Sequence, residues 1–222
     1  MTAETRPFEP ESIDDLPAVI PIFPLTGALL LPRATLPLNI FEPRYLAMVT
    51  DSLAAGRVFG MIQPSGSTEG DAPPVYRTGC LGRVTAFQET EDGRILLTLK
   101  GLCRFHLTEE LDVTTPYRQA QVNYTPFADD LKQPETPEIL RETLLSVLEN
   151  YFERTQMQVE WSCIEKAAPE KLVNYLSMIC PFDSCEKQVL LEAGTVEERA
   201  RLLIRFLELS GRDDESSPGR VQ

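Results

Sequence analysis

The sequence lacks long apolar runs, closely paired cysteines and the signals that direct a chain to a membrane. Its 222 residues include one histidine, one tryptophan and five cysteines, and no two cysteines form a CxxC pair. No apolar run approaches the roughly 20 residues that a membrane-spanning helix needs. The acidic start "MTAETRPFEPESIDDLP" has neither the basic beginning nor the apolar stretch of a secretory signal. We therefore expect a cytoplasmic protein with reduced thiols and no membrane partner.

Basic residues are also scarce relative to acidic ones. Thirty-four Asp and Glu against 21 Lys and Arg give a formal charge of -13. Such a charge repels phosphate backbones and removes the electrostatic term that drives non-specific nucleic-acid binding. We expect no nucleic-acid partner. With 42% hydrophobic residues, the chain can bury a core. Its length accommodates one large domain or two small ones, and we predict two small domains.

The apolar pattern changes near residue 125. Between residues 18 and 124, short apolar runs separated by turn residues predict strands. Residues 84–88 and 94–99 alternate around Asp92 and Gly93, which predicts a hairpin whose tight turn takes positive backbone angles at this pair. One helix interrupts the strands: in "EPRYLAMVTDSLAAG", Pro43 suits the first helical position and Gly56 the end.

From residue 138 onwards the period is helical. Apolar stripes and two capping boxes, Asp183 with Glu186 and Thr195 with Glu198, predict several helices. The expected organisation is a flexible tail (1–17), a strand-rich lobe (18–124), a connector (125–137), a helical lobe (138–210) and a disordered tail (211–222).

One stretch is both stiff and apolar: "IPIFPLTGALLLPRATLPLNIFEPRY", residues 20–45, contains five prolines. Together with "GCLGRVTAFQETEDGRILLTLKGLCRFHL" and, later, "EKQVLLEAGTVEER", it resembles the N-terminal substrate-binding domain of Lon proteases, a module also found in cereblon. The resemblance covers roughly residues 18–210.

The resemblance implies an α+β fold in which a small PUA-like β-barrel with one inserted helix precedes a helical bundle. It also offers a reason for the prolines, which would keep an edge strand and its exit extended and out of ladder pairing. The stretch would then either close the barrel or contact peptides directly.

The implied function is non-catalytic binding of unfolded or damaged protein segments, in protein quality control. The sequence contains no GxxxxGK[ST] phosphate loop, so we expect a free-standing member without ATPase or peptidase domains that works with a partner ATPase or protease.

The predicted peptide-binding residues lie in the same stretch. An aromatic side chain and a guanidinium beside exposed apolar surface would suit a low-specificity grip on extended chains. The alternative is that the aromatic residues are core and the arginine pairs with a neighbouring acid. The candidates are Leu29, Leu31, Pro32, Phe41, Arg44 and Tyr45.

No catalytic or metal site is predicted, and no cofactor. His106 could in principle activate Cys103, Cys180 or Cys185, but strand alternation already explains His106 and Cys103 as opposite-facing residues. The "CPFDSC" pair has the wrong spacing for a zinc knuckle and would need two further ligands. The two functional alternatives are an RNA-binding module, as in other PUA-like barrels, and a small-molecule hydrolase site between the lobes.

Overall fold

The structure is a computed structural model that describes residues 10–66, 73–132, 141–155, 164 and 166–213. The chain divides into two compact units, Met1–Gln133 and Pro134–Gln222. The first contains the strands and one α-helix, and the second contains the remaining α-helices. The predicted α+β class is therefore confirmed.

The first unit is built on one six-stranded sheet in the order β2-β5-β4-β3-β1-β6, and an additional pairing between β5 and β6 closes five of these strands into a barrel. The pairs are antiparallel except for β1 with β3. Strand β2 lies outside the closed ring and pairs with β5. The strands are β1 Val19–Pro24, β2 Thr35–Ile40, β3 Val58–Ile62, β4 Thr78–Glu89, β5 Ile95–Glu110 and β6 Gln119–Asn123.

The predicted hairpin is the junction of β4 and β5, and its pairing is confirmed from Val84 opposite Leu99 to Glu89 opposite Ile95. Its turn is wider than predicted. Gly93 has a φ of 82°, whereas the φ angle of Asp92 is not positive. The Gly93 amide donates to the Thr90 carbonyl, and the Thr90 amide donates to the Arg94 carbonyl. A three-residue loop with one left-handed glycine results, so only one positive angle is needed.

The inserted helix, α1, spans Pro43–Ala54 and begins with proline as predicted. Gly56 follows with a φ of 88° and ends the helix. Its buried residues are Tyr45, Met48, Val49 and Ser52.

The prolines of the opening stretch do not all mark an edge strand, which corrects the expectation. Pro21 and Pro24 belong to β1, which has β3 on one side and β6 on the other. The Ile22 amide donates to the Arg118 carbonyl on the β6 side, at 3.0 Å. Successive amides point to opposite sides of a strand, so the Pro21 nitrogen faces the β3 side. Pairing with β3 begins only at Ile22, and Pro21 therefore removes no ladder bond.

The barrel interior is filled by aliphatic and aromatic side chains around Phe105, which is fully buried. Its ring lies against Gly79 so closely that a Cβ atom there would be 2.4 Å from the Phe105 Cζ atom. A larger residue at 79 would displace the ring. The core residues are Leu16, Ile20, Ile22, Val58, Ile62, Leu81, Cys103, Phe105, Ala120, Val122 and Tyr124.

Segments expected to be a tail and a connector pack on this barrel. Leu16, within the predicted tail, is 7% exposed in the barrel core, and the Tyr124 hydroxyl donates to the Pro17 carbonyl at 2.9 Å. Thr125–Leu131, within the predicted connector, forms a 3-10 helix. Its Asp130 accepts hydrogen bonds from the backbone and the guanidinium of buried Arg104 at 2.8–2.9 Å. Buried side chains thus fix Leu16 and residues 125–131 to the barrel, which the sequence pattern did not indicate.

The second unit contains α2 Arg141–Thr155, α3 Pro169–Ile179, α4 Ser184–Glu192 and α5 Val196–Asp213. Helix α5 contacts each of the other three. Buried Arg199 on α5 donates to the Leu190 carbonyl at 2.8 Å and to the Asn174 side chain at 3.1 Å, which ties α3 and α4 to α5. Helix α5 continues past the predicted start of the tail at residue 211, and residues 214–222 lie outside the described residues.

Both predicted helix starts are present in this unit. Asp183 and Glu186 form the full reciprocal capping box. At the second start, the Glu198 amide donates to Thr195 Oγ1, but the Glu198 carboxylate accepts from the Gly194 amide, one residue before the expected donor. Each arrangement satisfies two amides at a helix beginning.

Candidate peptide-binding surface

Four of the six predicted binding residues are buried and cannot contact a ligand in this structure. Leu29 is 2% exposed, Leu31 is 0% and Tyr45 is 7%, and Pro32 is buried as well. The prediction of an exposed apolar run at residues 29–32 is therefore wrong.

Gly101 explains why the 29–32 segment is buried. A Cβ atom at position 101 would lie 2.1 Å from the Leu31 carbonyl oxygen, so only glycine permits the approach. The Arg33 amide donates to the Gly101 carbonyl and the Gly101 amide to the Ala34 carbonyl, each at 2.9 Å. Short backbone bonds thus hold the segment against β5.

The three candidates around the start of α1 have different surroundings. The Tyr45 ring centroid lies 4.2 Å from that of Phe23, and burial raises the pKa of the Tyr45 hydroxyl. Arg44 pairs with Glu42 at 2.9 Å, and its guanidinium lies 4.6 Å from the Tyr45 ring centroid. Phe41 is 62% exposed. Of the six candidates, Phe41 and Arg44 are exposed to solvent.

A shallow groove lies on the three-stranded extension formed by β2, β5 and β4. Its volume is about 490 Å³, and it includes Leu96, which is 44% exposed. All of its lining residues are uncharged, in a protein whose formal charge is -13. They are Pro37, Leu38, Asn39, Ala86, Phe87, Gln88, Leu96, Leu97 and Thr98.

Beside this groove, β2 has one unpaired edge. Within the part of the chain that the structure describes, β2 pairs with β5 and with no other strand. Its burial alternates, with Thr35, Pro37 and Asn39 exposed and Leu36 and Leu38 half-buried. We call the groove together with this open edge the β2 surface. It combines apolar contact area with unpaired backbone groups, which are what an extended peptide recognises.

The stretch that sequence reasoning selected contains strand β2, but the reasoning did not single out the β2 surface. Pro37, Asn39 and Leu96 were not among the candidates. A signal was present, since "TLPLN" alternates in polarity and has a proline in its centre, as an edge strand does. The position of Leu96 opposite Asn39 depends on long-range pairing, for which the sequence has no local signal.

The buried thiols are poorly suited to nucleophilic chemistry. Burial raises the pKa of Cys103 to about 12, and that of Cys180 to about 12 as well. Both thiols are therefore protonated near neutral pH, whereas the thiolate is the nucleophile. His106 packs its ring edge-on against Phe127 at 4.9 Å.

Among residues 10–66, 73–132, 141–155, 164 and 166–213, no group of three or more His, Cys, Asp or Glu side chains could hold a metal ion. The two cysteines of "CPFDSC" differ in access, since Cys180 is buried and Cys185 exposed. In the same described ranges, no helix has the length and apolar character needed to cross a membrane.

Comparison with curated proteins gives long, low-identity matches. The chain is 26% identical over 201 residues to a Lon protease of Dictyoglomus thermophilum, covering 87% of the chain and 24% of that protein. It is 28% identical over 200 residues to a Lon protease of Anaeromyxobacter dehalogenans, covering 87% of the chain and 23% of that protein. The chain thus spans about a quarter of the length of these relatives.

Two solved structures have the same fold over most of their length. A Lon N-terminal domain protein from Xanthomonas campestris superposes with a TM-score of 0.60 at 23% identity, covering 85% of this chain and 98% of that one. The N-terminal domain of a Mycobacterium avium complex Lon protease superposes with a TM-score of 0.59 at 16% identity, covering 86% of this chain and 98% of that one. The family model of the ATP-dependent protease La (LON) substrate-binding domain matches residues 19–208. The chain therefore belongs to the LON substrate-binding domain family.

Proposed function

We propose that this protein binds unfolded or damaged segments of other proteins and catalyses no reaction on them. The observation that supports this proposal most directly is the β2 surface, where an uncharged groove adjoins a strand edge that pairs with no other described strand. Membership of a substrate-binding family supports it independently.

The physical basis is the match between this surface and a non-native chain. An unfolded segment exposes apolar side chains and unpaired backbone amides, both of which a native surface has largely buried. Leu96 and the neighbouring Pro37 offer apolar contact, and the edge of β2 offers hydrogen bonds. Because no charged side chain lines the groove, a charged residue of the client would find no ion-pair partner within it.

The test is a titration monitored by fluorescence anisotropy. A labelled, permanently unfolded polypeptide should bind, and the same polypeptide in its native fold should not. Leu96→Glu should weaken binding at least several-fold, because a charge in the groove must be desolvated when the client covers it.

Leu209→Glu is the matched control. Leu209 is 52% exposed on α5, close to the 44% of Leu96, so the two variants add the same charge at similarly exposed leucines in different units. The control should bind as the unaltered chain does. Equal weakening by both variants, or no binding of the unfolded polypeptide, would contradict the proposal.

We further propose that captured segments pass to an ATP-dependent protease in the cytoplasm. The matched relatives bear the name Lon protease, and the buried Cys103 and Cys180 form no disulfide among the described residues, as a reducing compartment favours. The measurement is the rate at which a Lon-type protease degrades the unfolded polypeptide with and without this chain. An unchanged rate would remove this part of the proposal.

A further inference from the structure

The backbone groups at the open edge of β2 can be assigned individually. The Gly101 amide donates to the Ala34 carbonyl at 2.9 Å, so this carbonyl faces β5 and the N–H of Thr35, in the same peptide group, faces the open edge. Since the groups of successive residues point to opposite sides of a strand, those of Leu36 and Leu38 also face β5. The N–H of Thr35, the N–H of Asn39 and the carbonyls of residues 35, 37 and 39 face the open edge.

Pro37 divides this edge into two parts. It has no N–H, so an added antiparallel strand would form a two-bond pair at Thr35, a single bond to the Pro37 carbonyl, and a second two-bond pair at Asn39. The two complete pairs lie roughly 13 Å apart, at about 3.3 Å per residue. Such an edge can hold one short extended segment.

The side chains of β2 indicate what that segment should contain. Leu36 and Leu38 lie opposite buried Leu99 and Leu97, so they face the core side of the sheet. They remain half-buried, and among the described strands β2 pairs with β5 alone. An added strand would cover them with every second side chain, and apolar side chains there would gain the most.

Pro37 also disfavours a second copy of this chain as the occupant. When two β2 edges pair antiparallel and are centred on Pro37, the central pair has two prolines and no donor, so both of its hydrogen bonds are lost. A client residue with an N–H at that position still donates to the Pro37 carbonyl. The edge therefore favours a foreign strand over this self-pairing.

From these observations we propose that the client binds by strand addition to β2, as an extended segment with apolar side chains at alternate positions and backbone bonds to Thr35 and Asn39. This inference rests on the proposed function and specifies its binding mode. Strand addition makes affinity depend on the client's backbone amides, which binding through side chains alone does not.

The first test changes only the ligand. An eight-residue peptide that alternates valine with threonine should compete with the labelled unfolded polypeptide. Copies that are N-methylated at one residue each should lose competition at alternate positions, since only every second amide points towards β2. Uniform loss, no loss, or no competition by the unmethylated peptide would overturn the binding mode, while retained binding of the unfolded polypeptide would leave the proposed function intact.

The second test changes the protein. Asn39→Pro removes an N–H that faces the open edge and should weaken binding about 2- to 10-fold, the value of one hydrogen bond. Asn39→Ala keeps that N–H and removes only the side chain that lines the groove, so it should weaken binding less than Asn39→Pro does. Equal weakening by both variants would assign the effect to the side chain and overturn the proposal.

Pro37→Val supplies the backbone N–H that proline lacks, and it therefore tests whether an added hydrogen bond strengthens binding. It should tighten peptide binding about 2- to 10-fold, and sedimentation should show more self-association. Weaker binding, with the fold intact by circular dichroism, would contradict strand addition at this edge.

Discussion

The 29–32 segment and β2 differ in how far their side chains are exposed to solvent. Both are apolar and contain proline, and only two residues separate them. The first is buried throughout, whereas β2 alternates between exposed and half-buried residues up to Ile40. Composition does not separate them. Gly101 accommodates the backbone of the first segment, whereas β2 pairs with β5 alone among the strands that the structure describes. The comparison teaches that the exposure of an apolar segment in this protein depends on its backbone pairing, and that local hydrophobicity alone does not reveal it.

The largest expected effect concerns the ion pair between Arg104 and Asp130 beneath the buried segment. Their side chains are 7% and 8% exposed, and the Arg33 guanidinium also donates to the Asp130 carbonyl. Asp130→Ala should lower the free energy of unfolding by about 3–5 kcal/mol, because it leaves the Arg104 charge buried without its partner. Chemical denaturation measures this loss. Asp129→Ala, which removes a carboxylate that is 86% exposed, should leave the midpoint nearly unchanged, and equal losses would contradict the argument.

The next prediction compares the two segments directly. Leu31→Ala should cost about 2–5 kcal/mol of unfolding free energy, because it empties a fully buried site. Leu38→Ala on half-buried β2 should cost less and should weaken binding of the unfolded polypeptide. Leu31→Ala should leave binding unchanged under conditions in which the variant is folded. A reversal of this pattern would show that the 29–32 segment is the binding element.

A third prediction uses alkaline pH. Burial raises the pKa of Cys103 from 9.0 to about 12, so the folded state retains a proton that the unfolded state loses above pH 9. This contribution to stability is present below pH 9 and decreases as the pH rises towards 12.

The Cys103→Ala variant isolates this contribution. Between pH 8 and pH 10 the unaltered chain should lose about 1 kcal/mol more unfolding free energy than the variant. Denaturant titrations at the two pH values measure the difference. Peptide binding should change little, because β2 has no titratable side chain. Identical losses in both proteins would contradict the burial of this thiol.

The smallest effect is expected at Arg44. Its ion pair with Glu42 is 45% and 43% exposed, and exposed pairs contribute at most about 1 kcal/mol. Arg44→Ala should therefore change the denaturation midpoint only slightly, and Phe41→Ala should do the same. If Arg44→Ala weakened peptide binding as strongly as Leu96→Glu, the binding surface would extend to the start of α1.

The sequence predicted the features that local chemistry determines. Pro43 and Gly56 bound α1, Asp183 and Glu186 cap α4, and the hairpin at Gly93 pairs as expected. These features depend on residues a few positions apart. The resemblance to the Lon domain extended the prediction to the overall fold.

The sequence did not predict which apolar residues are exposed. The burial of the 29–32 segment depends on a missing side chain at Gly101, about 70 positions away. Likewise, the packing of residues 125–131 depends on Asp130 reaching Arg104, and the open side of β2 depends on the strand order of the whole sheet. Such contacts join distant parts of the chain, so no local pattern predicts them.

Strand β5 has a consequence for how the chain is made. It pairs with β2, β4 and β6, and β1 pairs with β6 at Ile20 and Ala120. During translation the ring therefore cannot close before residue 123 has left the ribosome, and until then β1 has no β6 beside it. Pairings this far apart in sequence slow folding. The nascent barrel must thus remain incompletely folded until then, and in this respect it resembles the unfolded clients that we propose it binds.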